Sequence, residues 1–171
     1  MYKKSEIRET LKSIQINKKN FEKDIIQKIN KLTENRVICA YISIYNEPNI
    51  LDYINNPKTL CTTFIDSEKN IKISKLQKPF IRNSFGVLQP KKFNEIDEVD
   101  IFLIPGLAFD LTGTRLGRGG GIYDMLLSNY LNSLFIGVTF DEYIFNQLPK
   151  DDHDINMHAL LTPTRFIELN I

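Results

Sequence analysis

Short apolar runs that alternate with helical segments limit what this chain can fold into more than any other feature. The run at 37–45 is rich in β-branched and aromatic residues, which predicts a buried strand. Further strands of this kind are predicted at 59–65, 71–76, 99–104, 134–140 and 160–162. Because such strands alternate with helices, we expect a single three-layer α/β/α domain over 1–171, with a mainly parallel, Rossmann-like sheet and N-terminal helices.

The helices are predicted from apolar residues spaced three and four positions apart. This pattern covers 3–33 with a break near Asn17 and Asn20, and Asn20 is predicted to cap the second helix. Shorter helical segments are predicted at 49–56, 123–131 and 141–147. The segments 78–90 and 107–121 contain several proline or glycine residues and are predicted to be loops.

The balance of charge argues against a nucleic acid or membrane partner. The 171 residues include 22 basic and 21 acidic residues, so no broad electrostatic footprint for such a partner remains. No apolar run is long enough to span a bilayer, and no signal-peptide pattern follows the polar N-terminus. Cys39 and Cys61 lack metal-type spacing and are expected to be buried free thiols. We therefore expect a soluble, cytoplasmic protein.

The strongest chemical signal is a glycine-rich loop. Six of the eight glycines lie at 106, 113, 117 and 119–121, next to Arg115 and Arg118. Glycine leaves no Cβ between the backbone and a ligand, and a helix that begins near Ile122 adds partial positive charge. The loop therefore suits a polyphosphate. The arginines can add bidentate contacts to phosphate oxygens, and Asp124 can face a divalent cation held between the phosphates.

This loop differs from the common nucleotide-binding motifs. It lacks the G-x-x-x-x-G-K-[ST] pattern of a P-loop, so the usual lysine must come from elsewhere, and Lys3, Lys4 and Arg8 are candidates. It also lies too late in the chain to be the first βα turn of a dinucleotide fold. Because Glu47 and the loop both follow strands at the carboxyl edge of the sheet, we expect the two to converge there.

The stretch IPGLAFDLTGTRLGRGGGIYD at 104–124 resembles the signature of the 5-formyltetrahydrofolate cyclo-ligase family, also called 5,10-methenyltetrahydrofolate synthetase. Three more segments are similar to parts of that family: KSEIR at 4–8, ISIYNE at 42–47 and LPKDDHD at 148–154. The resemblance thus covers nearly the whole chain. It implies that the protein converts ATP and 5-formyltetrahydrofolate, with Mg²⁺, to 5,10-methenyltetrahydrofolate, ADP and phosphate.

The resemblance also implies roles for individual residues. A catalytic role is implied for Lys4, Arg8 and Arg118. ATP binding is implied for Lys4, Arg8, Arg115, Gly117, Arg118, Gly119, Gly120, Gly121, Ile122 and Tyr123. Folate binding is implied for Arg8, Ile42, Glu47, Arg118, Gly120 and Tyr123, with the Glu47 carboxylate bonded to pterin N–H groups. Mg²⁺ binding is implied for Asp124 and Asp154, and Asp151 and Asp152 are near enough in sequence to replace Asp154.

Three positions depart from the family pattern. Ile122 stands where a tyrosine is common, Met125 where an arginine is common and His158 where an aspartate is common. None of these changes removes a phosphate or metal candidate, so activity is still expected. His153 and His158 are candidates for an acid–base pair, but the implied chemistry does not require one.

Two other functions compete with the cyclo-ligase. One is a non-catalytic folate- or nucleotide-binding protein of the same fold, which the intact Lys4, Arg8, Arg118 and Asp124 argue against. The other is a phosphosugar- or CoA-handling α/β enzyme, for which the loop offers no nucleophilic glutamate. The expected partners are 5-formyltetrahydrofolate and ATP, with Mg²⁺ as the cofactor and neither nucleic acid nor membrane. We expect a monomer, with a homodimer as the alternative.

Overall fold

The computed structural model describes residues 3–11, 13–14, 16, 19–44 and 46–170. Its strands are β1 (Val37–Ala40), β2 (Thr59–Ile65), β3 (Ile71–Lys75), β4 (Phe80–Arg82), β5 (Leu88–Pro90), β6 (Ile101–Pro105), β7 (Ala108–Asp110), β8 (Arg115–Leu116), β9 (Leu134–Val138), β10 (Ile144–Phe145), β11 (Ala159–Leu161) and β12 (Phe166–Glu168). Its α-helices are α1 (Lys4–Leu11), α2 (Lys23–Thr33) and α3 (Ile122–Leu127). Short 3₁₀ turns lie at Leu51–Tyr53 and Asp141–Tyr143.

A seven-stranded sheet in the order β12-β11-β9-β6-β1-β2-β3 organises these elements. The four central pairings, from β11 through β9, β6 and β1 to β2, are parallel. Only the two outer pairings, β2 with β3 and β11 with β12, are antiparallel. The prediction of an α/β fold with a mainly parallel sheet is therefore confirmed.

Helices cover both faces of this sheet, which explains why its central strands are apolar along their whole length. On one face Ile29 of α2 packs in the same cluster as Ile38 of β1. On the other face Leu127 of α3 packs in a cluster with Phe102 and Phe135. Each of these side chains is almost fully buried, and such burial stabilises the fold by about 1.5–3 kcal/mol per side chain.

A second sheet, in the order β10-β7-β8, supports the glycine-rich segment and α1. Leu11 of α1 packs with Leu116 of β8 and with Phe140 and Leu148, and Ile7 lies against this cluster. The predicted loop at 107–121 therefore contains two short strands. This correction matters because paired strands hold the start of the loop rigidly.

Other predicted boundaries were also wrong, mostly at the ends of elements. The segment at 78–90 is a hairpin of β4 and β5 rather than a loop. Strand β1 ends at Ala40, where its pairing with its neighbours stops, and Tyr45 at the predicted end lies outside the described residues. Helix α3 ends at Leu127 rather than near 131, and β12 was not predicted.

The predicted break in the N-terminal helix is confirmed, since α1 ends at Leu11 and α2 begins at Lys23. The predicted cap was wrong, because Glu22 occupies the N-cap position and makes no side-chain cap bond. Asn17 lies outside the described residues. In the part of the chain that the structure describes, no helix is both long and apolar enough to cross a membrane.

Cys39 and Cys61 are neighbours across β1 and β2, in register with each other. Both are free and buried, as predicted. Burial, with the neighbouring Cys61 thiol, raises the pKa of Cys39 well above its usual value, so this thiol stays protonated at neutral pH.

Candidate active site

The carboxyl ends of β1, β2 and β6 open into a cavity of about 490 Å³. The other walls are the hairpin of β4 and β5, the loop at 117–121, the first turns of α1 and the segment at 151–154. All the residues that the sequence assigned to ATP, folate or metal line this cavity: Lys4, Arg8, Ile42, Glu47, Arg115, Gly117, Arg118, Gly119, Gly120, Gly121, Ile122, Tyr123, Asp124 and Asp154. The expected convergence at this edge of the sheet is therefore observed.

Helix α1 presents two cations to the cavity because its apolar face is held elsewhere. Ile7 and Leu11 pack on the small sheet, and Lys4 and Arg8 lie four residues apart on a neighbouring face. Arg8 Nε donates a hydrogen bond of 2.9 Å to the carbonyl oxygen of Gly117. This bond ties α1 to the start of the glycine loop.

Lys4 is held by the opposite wall of the cavity. Its Nζ donates to Asp151 Oδ2 at 2.7 Å and to Asp154 Oδ2 at 2.5 Å. Burial alone would lower the pKa of Lys4, but its bonds to these two carboxylates outweigh burial and raise the pKa. Lys4 is therefore fully charged at neutral pH.

The glycine loop takes backbone conformations that other residues adopt at a cost. Gly119 has φ of +104° and Gly121, which precedes α3, has φ of +62°. A Cβ on Gly119 would lie 3.7 Å from the guanidinium carbon of Arg8. That distance is an ordinary van der Waals contact, so the positive φ values are what favour glycine at these two positions, both of which line the cavity.

Arg115 and Asp124 form an ion pair beneath this loop. Arg115 Nη2 lies 2.9 Å from Asp124 Oδ2, and the arginine side chain is only 6% exposed. Its guanidinium carbon is 5.2 Å from the centre of the Tyr123 ring. Burial raises the pKa of Tyr123, while Arg115 and a hydrogen bond with Thr63 act in the opposite direction. Thr63 was not identified from the sequence, because this contact depends on α3 packing over β2.

The acidic residues at this end of the cavity fit a divalent cation. Ligand atoms of Asp151, His153 and Asp154 all lie within 4.8 Å of one another. Asp124 lines the same cavity, and its Oδ1 accepts a long bond of 3.4 Å from the N–H of Ile155. Carboxylate oxygens are the ligands that Mg²⁺ prefers, and one or two of them with phosphate oxygens and water complete its usual site.

Asp154 is kept ionised within this group. Burial alone would raise its pKa, but hydrogen bonds from the N–H of Asp151 and from Lys4 outweigh burial and lower it. Asp151, which the sequence offered only as a substitute for Asp154, lines the cavity as well, and Asp152 does not.

Glu47 lies at the other side of the cavity, after β1. Its carboxylate is 9% exposed, and Oε2 accepts a bond of 3.1 Å from the N–H of Ile44. Burial raises its pKa, and the Ile44 N–H and Arg118 partly oppose this effect. Arg118 Nη2 lies 3.5 Å from Glu47 Oε1, so this arginine of the glycine loop reaches across to the β1 side.

The cavity is also lined by apolar residues, most of which were missed in the sequence. They include Ile42 and Ile44 after β1, Ile65 of β2, and the hairpin residues Phe85 and Val87. The hairpin was predicted as a loop, and its Pro and Gly residues carry no chemical signal for a site.

The two histidines do not form an acid–base pair in the cavity. His158 Nδ1 accepts a 2.9 Å bond from the N–H of Phe135, so it supports the sheet. His153 lines the cavity and His158 does not. The departure at His158 from the family pattern therefore lies outside the cavity lining.

Comparison with known proteins identifies the family and agrees with the fold. The model of the 5-formyltetrahydrofolate cyclo-ligase family matches residues 1–163. The chain is 28% identical to the 5-formyltetrahydrofolate cyclo-ligase of Mycolicibacterium smegmatis, over 77% of this chain and 76% of that protein. It is 29% identical to the mitochondrial 5-formyltetrahydrofolate cyclo-ligase of Arabidopsis thaliana, over 77% of this chain and 61% of that protein. The solved structure of Aquifex aeolicus 5,10-methenyltetrahydrofolate synthetase superposes with a TM-score of 0.76 and 25% identity, over 98% of this chain and 93% of that one.

Proposed function

This chain belongs to the 5-formyltetrahydrofolate cyclo-ligase family, and we propose that it uses ATP and Mg²⁺ to cyclise 5-formyltetrahydrofolate to 5,10-methenyltetrahydrofolate. ADP and phosphate are the other products. One domain holds both substrates. The observation that carries this proposal is the single cavity that unites a cation-rich glycine loop with a buried carboxylate in an apolar wall.

The triphosphate lies along the glycine loop in this proposal. The loop at 117–121 offers backbone N–H groups, and Lys4, Arg8 and Arg118 surround it with positive charge. Tyr123 and Ile122 close the end of the loop where α3 begins. Phosphoryl transfer depends mainly on positioning and on neutralising charge, which is what such groups supply.

The pterin ring of the folate lies on the Glu47 side. A carboxylate can accept two parallel hydrogen bonds from the amino group and ring N–H of a pterin, as it does from a guanidinium. Ile42 packs against the ring in this arrangement, and the apolar wall excludes water from it. Arg8, Arg118, Gly120 and Tyr123 lie between the two substrates and contact both.

The reaction needs no nucleophile from the protein. The formyl oxygen of the N5 amide attacks the γ-phosphorus of ATP, the bond from that phosphorus to ADP breaks, and an imidate phosphate forms. N10 then attacks the activated carbon and loses its proton, and the C–O bond breaks to release phosphate. Arg118 and Lys4 stabilise the charge that moves onto the phosphate oxygens.

Asp124 and Asp154 hold the metal in this proposal. Both offer carboxylate oxygens to the cavity, and the low pKa of Asp154 keeps it ionised in the working range of pH. The chemistry that Mg²⁺ supplies when bound is neutralisation of charge on the triphosphate.

Purified protein with MgATP and 5-formyltetrahydrofolate tests the proposal directly. We expect the absorbance of 5,10-methenyltetrahydrofolate to rise only when ATP and Mg²⁺ are both present. Protein that binds ATP and folate but produces no such rise would instead be a non-catalytic binding protein of this fold.

The free, buried Cys39 and Cys61 fit a reducing compartment, and we propose that the enzyme works in the cytoplasm.

A further inference from the structure

Asp110, the last residue of β7, is an acidic residue that the proposed chemistry does not use. It is fully buried, and it does not line the cavity. Because a buried carboxyl group is costly unless hydrogen bonds satisfy it, the donors around Asp110 indicate which parts of the fold it holds together.

One oxygen of Asp110 shapes the turn between β7 and β8. Oδ1 accepts bonds from the N–H of Thr112 at 2.9 Å, from Thr112 Oγ1 at 2.7 Å and from the N–H of Thr114 at 2.9 Å. Thr114 directly precedes β8, and β8 leads into the glycine loop at 117–121. This oxygen therefore fixes a turn at the base of that loop.

The other oxygen bonds to a separate part of the chain. Oδ2 accepts a bond of 2.6 Å from the N–H of Leu148, which is also buried. Further along, the N–H of Met157 donates a bond of 2.8 Å to the carbonyl oxygen of Gly113, in the same turn. Both ends of the segment 148–157 are thus bonded to the turn that Asp110 shapes.

These two anchors matter because the segment forms neither helix nor strand at any of its residues, all of which the structure describes. Its path therefore depends on its ends and on a few contacts between them. Between the ends, Asp151 and Asp154 line the cavity and accept bonds from Lys4, and the N–H of Ile155 donates to Asp124. Through this segment, Asp110 is connected to the carboxylates that we propose for the metal.

We infer that Asp110 is a positioning residue, which fixes the segment 148–157 so that Asp154 faces the metal of the bound nucleotide. Groups that support a metal ligand from behind commonly change metal affinity by about 10–100-fold when they are replaced. The role at the metal rests on the proposed function, because the metal enters with ATP. The hold on the segment is a property of the protein alone.

Asp110→Asn tests the inference because an amide supplies only one oxygen. That oxygen can face the three donors of the turn, and the amide N–H₂ then faces the N–H of Leu148, donor against donor. The turn is kept and the bond to the segment is lost. The matched control is Asp141→Asn, which alters another carboxylate that accepts bonds from two threonines and an arginine, outside the cavity lining.

Hydrogen–deuterium exchange without ligands measures the hold on the segment. For Asp110→Asn we expect the amides of 148–157 to exchange about tenfold faster than in the wild type, the change that loss of one buried hydrogen bond produces. Exchange in this segment should be unchanged in Asp141→Asn.

Equilibrium dialysis with labelled ATP, without folate, measures the effect at the metal. ATP affinity is determined in EDTA and again in excess Mg²⁺. For Asp110→Asn we expect the gain in affinity caused by Mg²⁺ to fall about tenfold, while the affinity in EDTA stays close to that of the wild type. Asp141→Asn should match the wild type under both conditions.

Equal exchange over 148–157 in Asp110→Asn and the wild type would overturn the inference. Faster exchange with an unchanged response to Mg²⁺ would overturn it too, because the segment would then be held without consequence for the metal. Equal losses in Asp141→Asn would reduce the effect to general stability and refute the positioning role.

If circular dichroism shows that Asp110→Asn is unfolded, Gly113→Ala takes its place. A Cβ on Gly113 would lie 2.7 Å from the carbonyl oxygen of Met157, so this variant displaces the other end of the segment, and the same results are expected. Wild-type protein that binds no ATP would refute the proposed function and with it the role at the metal. Failure of the inference alone leaves turnover by the wild type intact.

Discussion

The side of the cavity that we propose for the nucleotide and the side that we propose for folate hold their charged groups by different means. On the nucleotide side, each carboxylate already has a cation: Lys4 lies between Asp151 and Asp154, and Arg115 holds Asp124. On the side proposed for folate, Glu47 is buried; among the described residues it pairs with Arg118 and accepts a bond from the N–H of Ile44. In our proposal, the site for a polyanion and its metal is thus preassembled from ion pairs, whereas the site for a flat heterocycle is formed mainly by burial.

Replacing Arg118 should have the largest effect, because this arginine belongs to the glycine loop and also reaches Glu47. We expect Arg118→Ala to lower kcat about a hundredfold or more, since loss of one charged donor in a transition state costs about 2.7–4 kcal/mol. Steady-state kinetics of methenyl formation measures the effect. The matched control is Arg165→Ala, which removes another half-exposed, ion-paired arginine outside the cavity lining and should leave kcat nearly unchanged. An unchanged kcat/KM in Arg118→Ala would show that the phosphates lie elsewhere.

A change at Glu47 tests whether the two sides are separate in binding. Glu47→Gln replaces an acceptor of two hydrogen bonds, and bonds to a charged group contribute about 1.5–3 kcal/mol, so the KM for folate should rise about tenfold or more. The KM for ATP should change little. Asp52→Asn removes a nearby exposed carboxylate that lies outside the cavity and serves as the control. Weakened ATP binding with normal folate binding would contradict the assignment of the pterin to Glu47.

The pH dependence of folate binding should show the smallest effect. It tests whether Arg118 of the glycine loop influences the ionisation of Glu47. Only ionised Glu47 can accept both pterin N–H groups, so folate binding should weaken as pH falls through its raised pKa. Arg118 lowers this pKa, and its removal should move the acid limb of binding to higher pH. The change should be small, because a half-exposed ion pair contributes only about 0.2–1 kcal/mol. Fluorescence titration of folate across pH in Arg118→Ala measures it, and a limb that moved to lower pH would refute the coupling.

The strands that could be predicted from the sequence are those whose pattern is set by burial. The prediction for 99–104 overlaps β6, because the apolar residues of Ile101–Ile104 are all buried in the core of the sheet. Strands β7 and β8 could not be predicted in the same way. Each is two or three residues long, too short for a periodic pattern, and exists because it pairs with a neighbour in space.

The residues of the candidate site also differ in whether they could be identified from the sequence. The glycine loop and Asp124 could be identified from residue types and spacing, because phosphate and metal chemistry narrows the choice of residues. Lys4 and Glu47 could be named as candidates from the sequence, but their individual roles needed the resemblance to a family, since each is an ordinary charged residue in its own segment. Asp151 could not be singled out among neighbouring acids, because only its contact with Lys4 distinguishes it.

The bonds from Lys4 to Asp151 and Asp154 join positions that are 147 and 150 residues apart. During synthesis, helix α1 therefore leaves the ribosome long before its partners exist, and it must wait while the central sheet is made. The contacts of Glu47 with Ile44 and Arg118 join residues that are made earlier. A growing chain thus has the residues of the Glu47 side of the cavity before it has the carboxylates that hold Lys4.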